Sequence, residues 1–180
     1  MKLNLACGLL AAFAASAAGL SPAEKQGLTE DRKLLRGAPT VVVFLSARCP
    51  VSNAYGERFQ RIYEEYRPKG VRFFFVNSNV NESEAEITRN TLEHGFTFPI
   101  FRDLDSRAAD RFGAQATPEL FLLDSAAEVR YHGALDDAQN PARVHHHRLR
   151  EALDQILAGT QVTIAETKSF GCTIKRPRKP

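Results

Sequence analysis

The stretch Thr40-Val41-Val42-Val43-Phe44-Leu45-Ser46-Ala47-Arg48-Cys49-Pro50-Val51-Ser52-Asn53 changes character at one residue. Residues 40–46 are a continuous β-branched and apolar run, which fits a central strand covered on both faces, as in a parallel sheet. Pro50 stands at a first-turn position. Tyr55, Phe59, Ile62, Tyr63 and Tyr66 then recur at helical spacing until Pro68 and Gly70. Cys49 therefore falls at the junction between a buried strand and a helix.

Upstream, residues 24–36 read as a short helix stopped by Gly37. Downstream, residues 71–77 repeat the buried-strand pattern. Ser83 and Glu86 form a capping box that starts a helix running to His94 and stopped by Gly95. Pro99 to Phe101 is a short extended piece, and Asp105 to Phe112 a short helix ending at Gly113. Glu119–Leu123 and Glu128–His132 read as strands of a hairpin turning at residues 124–127. Residues 144–158 read as a last helix with Val144, Leu149, Leu153, Ile156 and Leu157 as its apolar stripe. Two strands joined through a helix imply a parallel crossover, and the hairpin implies an antiparallel edge. The expected class is α/β: a central mixed sheet with helices on both faces.

The chain has 180 residues, 43% hydrophobic and 25% charged. That is one domain's worth of chain, and it excludes disordered, collagen-like and coiled-coil classes. The net charge of +3 is unevenly spread. Lys168, Lys175, Arg176, Arg178 and Lys179 crowd the last residues, and Lys2 opens the chain. Without these six the remainder carries −3, so the body is not a nucleic-acid-binding surface. The basic tail reads as a frayed, solvated terminus. Residues 1–18, with one charge, an Ala-rich apolar stretch and the small-residue end Ala15-Ser16-Ala17, read as a secretory signal. A retained N-terminal anchor is the competing reading. The expected location is periplasmic or secreted, with no stable membrane span once the signal is removed. Removal leaves Cys49 and Cys172, which in an oxidising compartment can pair as a structural or a redox-active bond.

A thiol at a helix start meets free amide N–H groups and the positive end of the helix dipole, which favour the thiolate. Arg48 adds positive charge, and the Ser52 hydroxyl lies within reach as a donor. The alternative is an inert buried cysteine that merely ends a strand. Ala116-Thr117-Pro118-Glu119 precedes an apolar strand, and its prolyl bond is a candidate for the cis form. His145-His146-His147, on the expected helix, point in different directions and read as a polar helix start, without metal. Glu64-Glu65 and Asp136-Asp137 read as solvated surface.

Together, the strand, the cysteine at a helix start and the later Thr117-Pro118 before a hairpin resemble the thioredoxin fold. More closely, Cys49-Pro50-Val51-Ser52-Asn53 with Gly171-Cys172-Thr173-Ile174 is similar to bacterial redoxins of the alkyl hydroperoxide reductase/thiol-specific antioxidant group within the thioredoxin-like superfamily. The resemblance covers roughly residues 38–174. It divides the chain into a signal (1–18), a helical lead-in (19–37), a thioredoxin-like domain (38–158) and a basic tail carrying Cys172 (159–180). It implies that Cys49 is the nucleophile and that Thr117-Pro118 is a cis-proline loop holding the substrate in an extended manner. Pro50 is placed with that loop on the substrate side. Arg48 and Ser52 are expected to tune the thiol.

Two departures shape the expectation. Thioredoxins carry a second cysteine at the position of Ser52, and peroxiredoxins carry a proline at the position of Val42. Cys172 is then the candidate resolving thiol, in a tail expected to be mobile; a permanent structural bond to Cys49 is its alternative. The implied activity is exported thiol-disulfide exchange without a cofactor, on protein thiols and disulfides, with an unidentified electron donor. Reduction of small peroxides by a peroxiredoxin-like thiol peroxidase is one alternative. A metal- or partner-binding module that has lost turnover is another.

Overall fold

The computed structural model describes residues 20–178. Five strands form the main sheet: β1 (Thr40–Phe44), β2 (Arg72–Asn77), β3 (Ile100–Arg102), β5 (Glu119–Leu123) and β6 (Val129–Gly133). Their order is β3-β2-β1-β5-β6. β1, β2 and β3 run parallel, β5 is antiparallel to β1, and β6 to β5. A two-residue strand β4 (Ala116–Thr117) pairs with β7 (Cys172–Thr173) in a second, small sheet. The helices are α1 (Pro22–Thr29), α2 (Pro50–Tyr66), α3 (Glu84–Glu93), α4 (Arg107–Phe112) and α5 (Arg148–Leu157). No helix among the described residues is long and apolar enough to cross a membrane.

β1 is buried at every position, as its unbroken apolar run requires when both faces are covered. Alternation divides its side chains between two cores. Val41 and Val43 pack with Phe59, Ile62 and Tyr66 of α2 and Leu149 and Leu153 of α5. Val42 and Phe44 face Leu28 of α1, Ala108 and Ala109 of α4, and Ile174 of the tail. Helices thus lie on both faces of a mixed sheet. Ser83 and Glu86 close their capping box at the start of α3, and Gly95 follows that helix at φ 62°, a conformation that favours glycine.

Four expectations need correction. The helix expected over residues 24–36 is split. Ser21 caps α1 through a box with Glu24 and Pro22 at the first position, and Asp31 then accepts from the Lys33 N–H to start a separate 3₁₀ turn at Arg32–Leu35. The last helix begins at Arg148, not 144. The preceding residues are held extended because the His145 N–H donates to Asp137 Oδ1 and the Asp137 N–H to the His146 carbonyl. The histidines are therefore not on a helix: His146 lies 3.3 Å from Glu151, and His147 lies 2.9 Å from Asp136. Asp136 is no solvated acid. It is buried at 3% exposure and paired with the Arg58 guanidinium at 2.6 Å.

The fourth correction concerns the tail, which is neither frayed nor loose. His132 N–H donates to the Ala165 carbonyl, and Thr167 N–H to the His132 carbonyl. The Thr167 hydroxyl meets the Tyr131 hydroxyl at 2.7 Å and accepts from the Ala134 N–H at 3.1 Å. Arg176 reaches Asp110 at 2.8 Å. Ile174 is 3% exposed in the core beside Val42 and Phe121. The signal expected at residues 1–18 lies outside the described residues, as do Lys179 and Pro180.

A docked tail has a stability consequence. Ile174→Ala leaves a cavity under the sheet and is expected to lower unfolding stability by about 2–5 kcal/mol in urea melts; a frayed tail would give no change.

Candidate functional site

Two loops and the tail build the site around Cys49. β1 delivers the chain to Ser46, and α2 starts at Pro50, so Cys49 occupies the N-cap position with extended backbone at φ −85° and ψ 113°. Its Sγ accepts from the Ser52 N–H at 3.5 Å, as a capping oxygen would. The loop before it is held by a buried acid. Glu82, 2% exposed, accepts from the Ala47 N–H at 2.8 Å and the Asn77 amide at 2.7 Å, and takes the Ser46 hydroxyl hydrogen.

The opposing loop carries the Thr117–Pro118 peptide bond, which is cis. Its approach is fixed by a second buried acid. Glu119 accepts from the Gln115 N–H at 2.7 Å and the Ala116 N–H at 2.8 Å, and its other oxygen lies 2.6 Å from His132 Nε2. The Thr117 carbonyl oxygen comes within 3.0 Å of Cys49 Sγ and accepts its S–H. β7 closes the third side. Thr117 pairs with Cys172, the Thr117 hydroxyl donates to the Cys172 carbonyl at 3.3 Å, and the Ile174 N–H donates to the Gln115 carbonyl at 3.0 Å.

Cys49 and Cys172 are both free thiols; Cys172 pairs with Thr117, whose carbonyl meets Cys49, and the two thiols are within hydrogen-bond reach of each other. Cys49 is 1% exposed, and Cys172 is half-buried. Burial by itself raises the Cys49 pKa. Hydrogen bonds from the Cys172 thiol, the Ser52 N–H and the Thr117 side chain outweigh it, and the net direction is downward from the ordinary thiol value of 9.0. The Thr117 carbonyl works the other way, since it favours the form that still has a proton to give. Cys172 moves up to about 11. Burial is the largest cause, followed by the hydrogen bond it gives to Cys49 and the nearby negative charges of Cys49 and Glu82. One sulfur is thus set to carry the charge and the other to carry the proton.

Cys49, Ser52, Thr117, Pro118 and Cys172 therefore meet at one place, with Pro50 leading the helix away from it. The two expected tuning groups are placed as follows. Ser52 meets the Cys49 sulfur with its backbone N–H, and its hydroxyl oxygen accepts from the Ser46 N–H at 3.3 Å. The Arg48 guanidinium is turned outward onto Glu86 at 2.5 Å, with its side chain 52% exposed. Cys172 sits in a two-residue strand paired with β4, not at the end of a free tail. Glu82 and Gly171 were missed as site residues: an acid in a polar loop reads as surface, and a glycine in a tail reads as a hinge. Among the described residues, no three His, Cys, Asp or Glu side chains are grouped as a metal site needs.

Comparison with known proteins places this geometry in context. The model of the AhpC/TSA family matches residues 16–132. The thiol-disulfide oxidoreductase ResA of Halalkalibacterium halodurans is 26% identical over 104 residues, covering 58% of this chain and 58% of that protein. The chain thus spans less than two thirds of the length of that curated relative. An uncharacterized conserved protein from Geobacillus kaustophilus has a TM-score of 0.74 at 30% identity, over 84% of this chain and 82% of that one. A thioredoxin-like protein whose oxidized form was solved in solution has a TM-score of 0.59 at 22% identity, over 72% of this chain and 85% of that one. That likeness shows the shared thioredoxin fold.

The opposed thiols make the reduced protein's pH response testable. The folded state holds fewer protons than the unfolded chain between the lowered Cys49 value and 9.0, so this group adds stability as pH rises through that window and loses it as pH falls. From 9.0 to about 11 the Cys172 proton reverses the slope. Thiolate absorbance should titrate in two steps, the lower absent from Cys49→Ser and the upper from Cys172→Ser. A single step at about 9 for both thiols would contradict the assignment.

Proposed function

Since this chain belongs to the AhpC/TSA family, we propose that it is a thiol-dependent oxidoreductase whose working groups are Cys49 and Cys172. The observation that carries this reading is the meeting of two free thiols of opposite tendency beside the Thr117–Pro118 loop. The Cys49 thiolate attacks one sulfur of a partner disulfide. A Cys49–partner bond forms and the partner's other sulfur leaves as a thiolate. Cys172 then gives up its proton to the partner thiolate released in the first step and attacks the Cys49 sulfur. The second partner thiolate leaves, and the pair ends as a Cys49–Cys172 disulfide. A donor dithiol restores both thiols by the reverse exchange. The chain's own groups supply every step, so no cofactor is invoked.

Protein disulfides are the substrate class that fits the Thr117 edge, because extended backbone can lie along it as β7 does. The thiol-disulfide exchange named for the Halalkalibacterium halodurans relative agrees with this choice. The N-terminal pattern of residues 1–18 supports export to an oxidising compartment. Hydroperoxides are a second reading, favoured by the depth of Cys49, which suits a small oxidant. The thiolate would take one oxygen to become a sulfenic acid, releasing an alcohol or water, and Cys172 would condense with it, releasing water.

Replacement of each thiol separates these roles. Cys49→Ser should reduce turnover of a protein disulfide, with dithiothreitol as donor, by at least about a hundredfold. Cys172→Ser should retain the first attack and accumulate a mixed disulfide at Cys49, visible by mass spectrometry. Retained activity in Cys49→Ser would overturn the proposal. Dithiothreitol-dependent peroxide consumption faster than disulfide turnover would select the second reading.

A further inference from the structure

Cys49 is 1% exposed, yet its sulfur must be reached if it is to exchange with a partner. Cys172 lies against it, with both its thiol and its backbone placed to hydrogen-bond the Cys49 sulfur. Residues 171–173 run beside Thr117, and the contact there admits no side chain. A Cβ on Gly171 would lie 2.6 Å from the Thr117 carbonyl carbon and 3.1 Å from Pro118 N, and closer still to the Thr117 oxygen. These are backbone atoms, which cannot rotate aside. On either side of this point the tail is anchored. Phe170 packs on Tyr55 with ring centroids 6.1 Å apart, and the Thr167 hydroxyl is fixed by Tyr131 and Ala134. Beyond it, Ile174 is in the core, the Lys175 N–H donates to Asn79 Oδ1 at 2.9 Å, and the Val80 N–H donates to the Lys175 carbonyl at 2.9 Å. Between the anchors, only two residue pairs join β7 to β4, and Gly171 and Thr173 are exposed. A short segment held at both ends and weakly paired in the middle can bow outward without releasing the tail.

We propose that residues 171–173 are a hinged cover occupying the strand position where a partner's extended segment would pair with Thr117, and that Gly171 is the positioning residue that lets this cover close and sets Cys172 on Cys49. The cover and a partner segment compete for the same edge. Cys49 exchanges while the cover is raised, and Cys172 meets the Cys49–partner bond as the cover returns. This deepens the reading of the two thiols as one couple, because it gives resolution and access to the same motion.

The test is alkylation of the reduced full-length protein by iodoacetamide at neutral pH, with labelling of each cysteine read by peptide mass spectrometry. Cys49 in the folded wild type is expected to label at least about a hundredfold more slowly than in the urea-unfolded chain, and its rate to level off at high reagent because lifting of the cover limits it. Gly171→Ala is expected to speed Cys49 labelling at least about tenfold while circular dichroism stays native. Cys172→Ser keeps the cover's backbone, so Cys49 should stay slow there. Wild-type Cys49 labelling at the unfolded rate would overturn the cover, as would a folded Gly171→Ala with unchanged labelling or a fast Cys49 in Cys172→Ser. If Gly171→Ala does not fold, the wild-type rate and its levelling decide. None of these readouts needs turnover. A slow Cys49 freed by Gly171→Ala, in a protein that never forms the Cys49–Cys172 disulfide on air oxidation, would remove the redox couple and keep the cover. A fast Cys49 with ready disulfide formation would do the reverse.

Discussion

One carbonyl group organises this molecule's chemistry. The Thr117 oxygen receives the Cys49 S–H at 3.0 Å, and the residue that carries it pairs with Cys172. It is also the oxygen against which Gly171 must lie without a side chain. Each contact constrains the others. In the neutral thiol the 3.0 Å approach is a hydrogen bond; in the thiolate it brings a charged sulfur against a carbonyl lone pair. The Ser52 N–H at the helix start remains a donor to the sulfur in both forms. Deprotonation therefore shifts the sulfur's best partner from the β4 side toward the helix start.

Two buried acids hold the walls of this arrangement. Glu82 fixes the loop that precedes Cys49, and Glu119 fixes the loop that precedes Pro118. Burying a carboxylate is costly, and here backbone and amide N–H groups offset the cost with charge-assisted hydrogen bonds. Those donors belong to irregular backbone with no ladder to satisfy them. The acids are thus braces for segments that must leave regular structure to bring a thiol and a carbonyl together. Glu82 adds an electrical effect, since its charge helps keep the proton on Cys172.

The sheet and helices were legible because their signals are local. Val41 to Phe44 alternate between two cores and are all apolar, so the strand reads as central without knowledge of what covers it. Ser83 and Glu86 cap a helix through contacts three residues apart. The meeting of Cys49 with Thr117-Pro118 was legible through the thioredoxin-like pattern. The tail was not. Its five bases look solvated, yet Ile174 shares a core with Val42 and Phe121, and Phe170 packs on Tyr55, each more than 50 residues away in sequence. Asp136 was misread for the same reason, because its partner Arg58 stands on α2. Arg48 shows the opposite error. Sequence adjacency to Cys49 implied influence, but a side chain leaves the backbone in its own direction, here toward Glu86.

The order in which the chain is made bears on the site. β7 follows every other described element in sequence, so synthesis delivers it after all of them. Until then the seat beside Thr117 is vacant, and the Cys49 sulfur lacks both its cover and the Cys172 hydrogen bonds that lower its pKa. Closure of the site and completion of the Cys49 surroundings are consequently one late event, set by the arrival of residues 171–173.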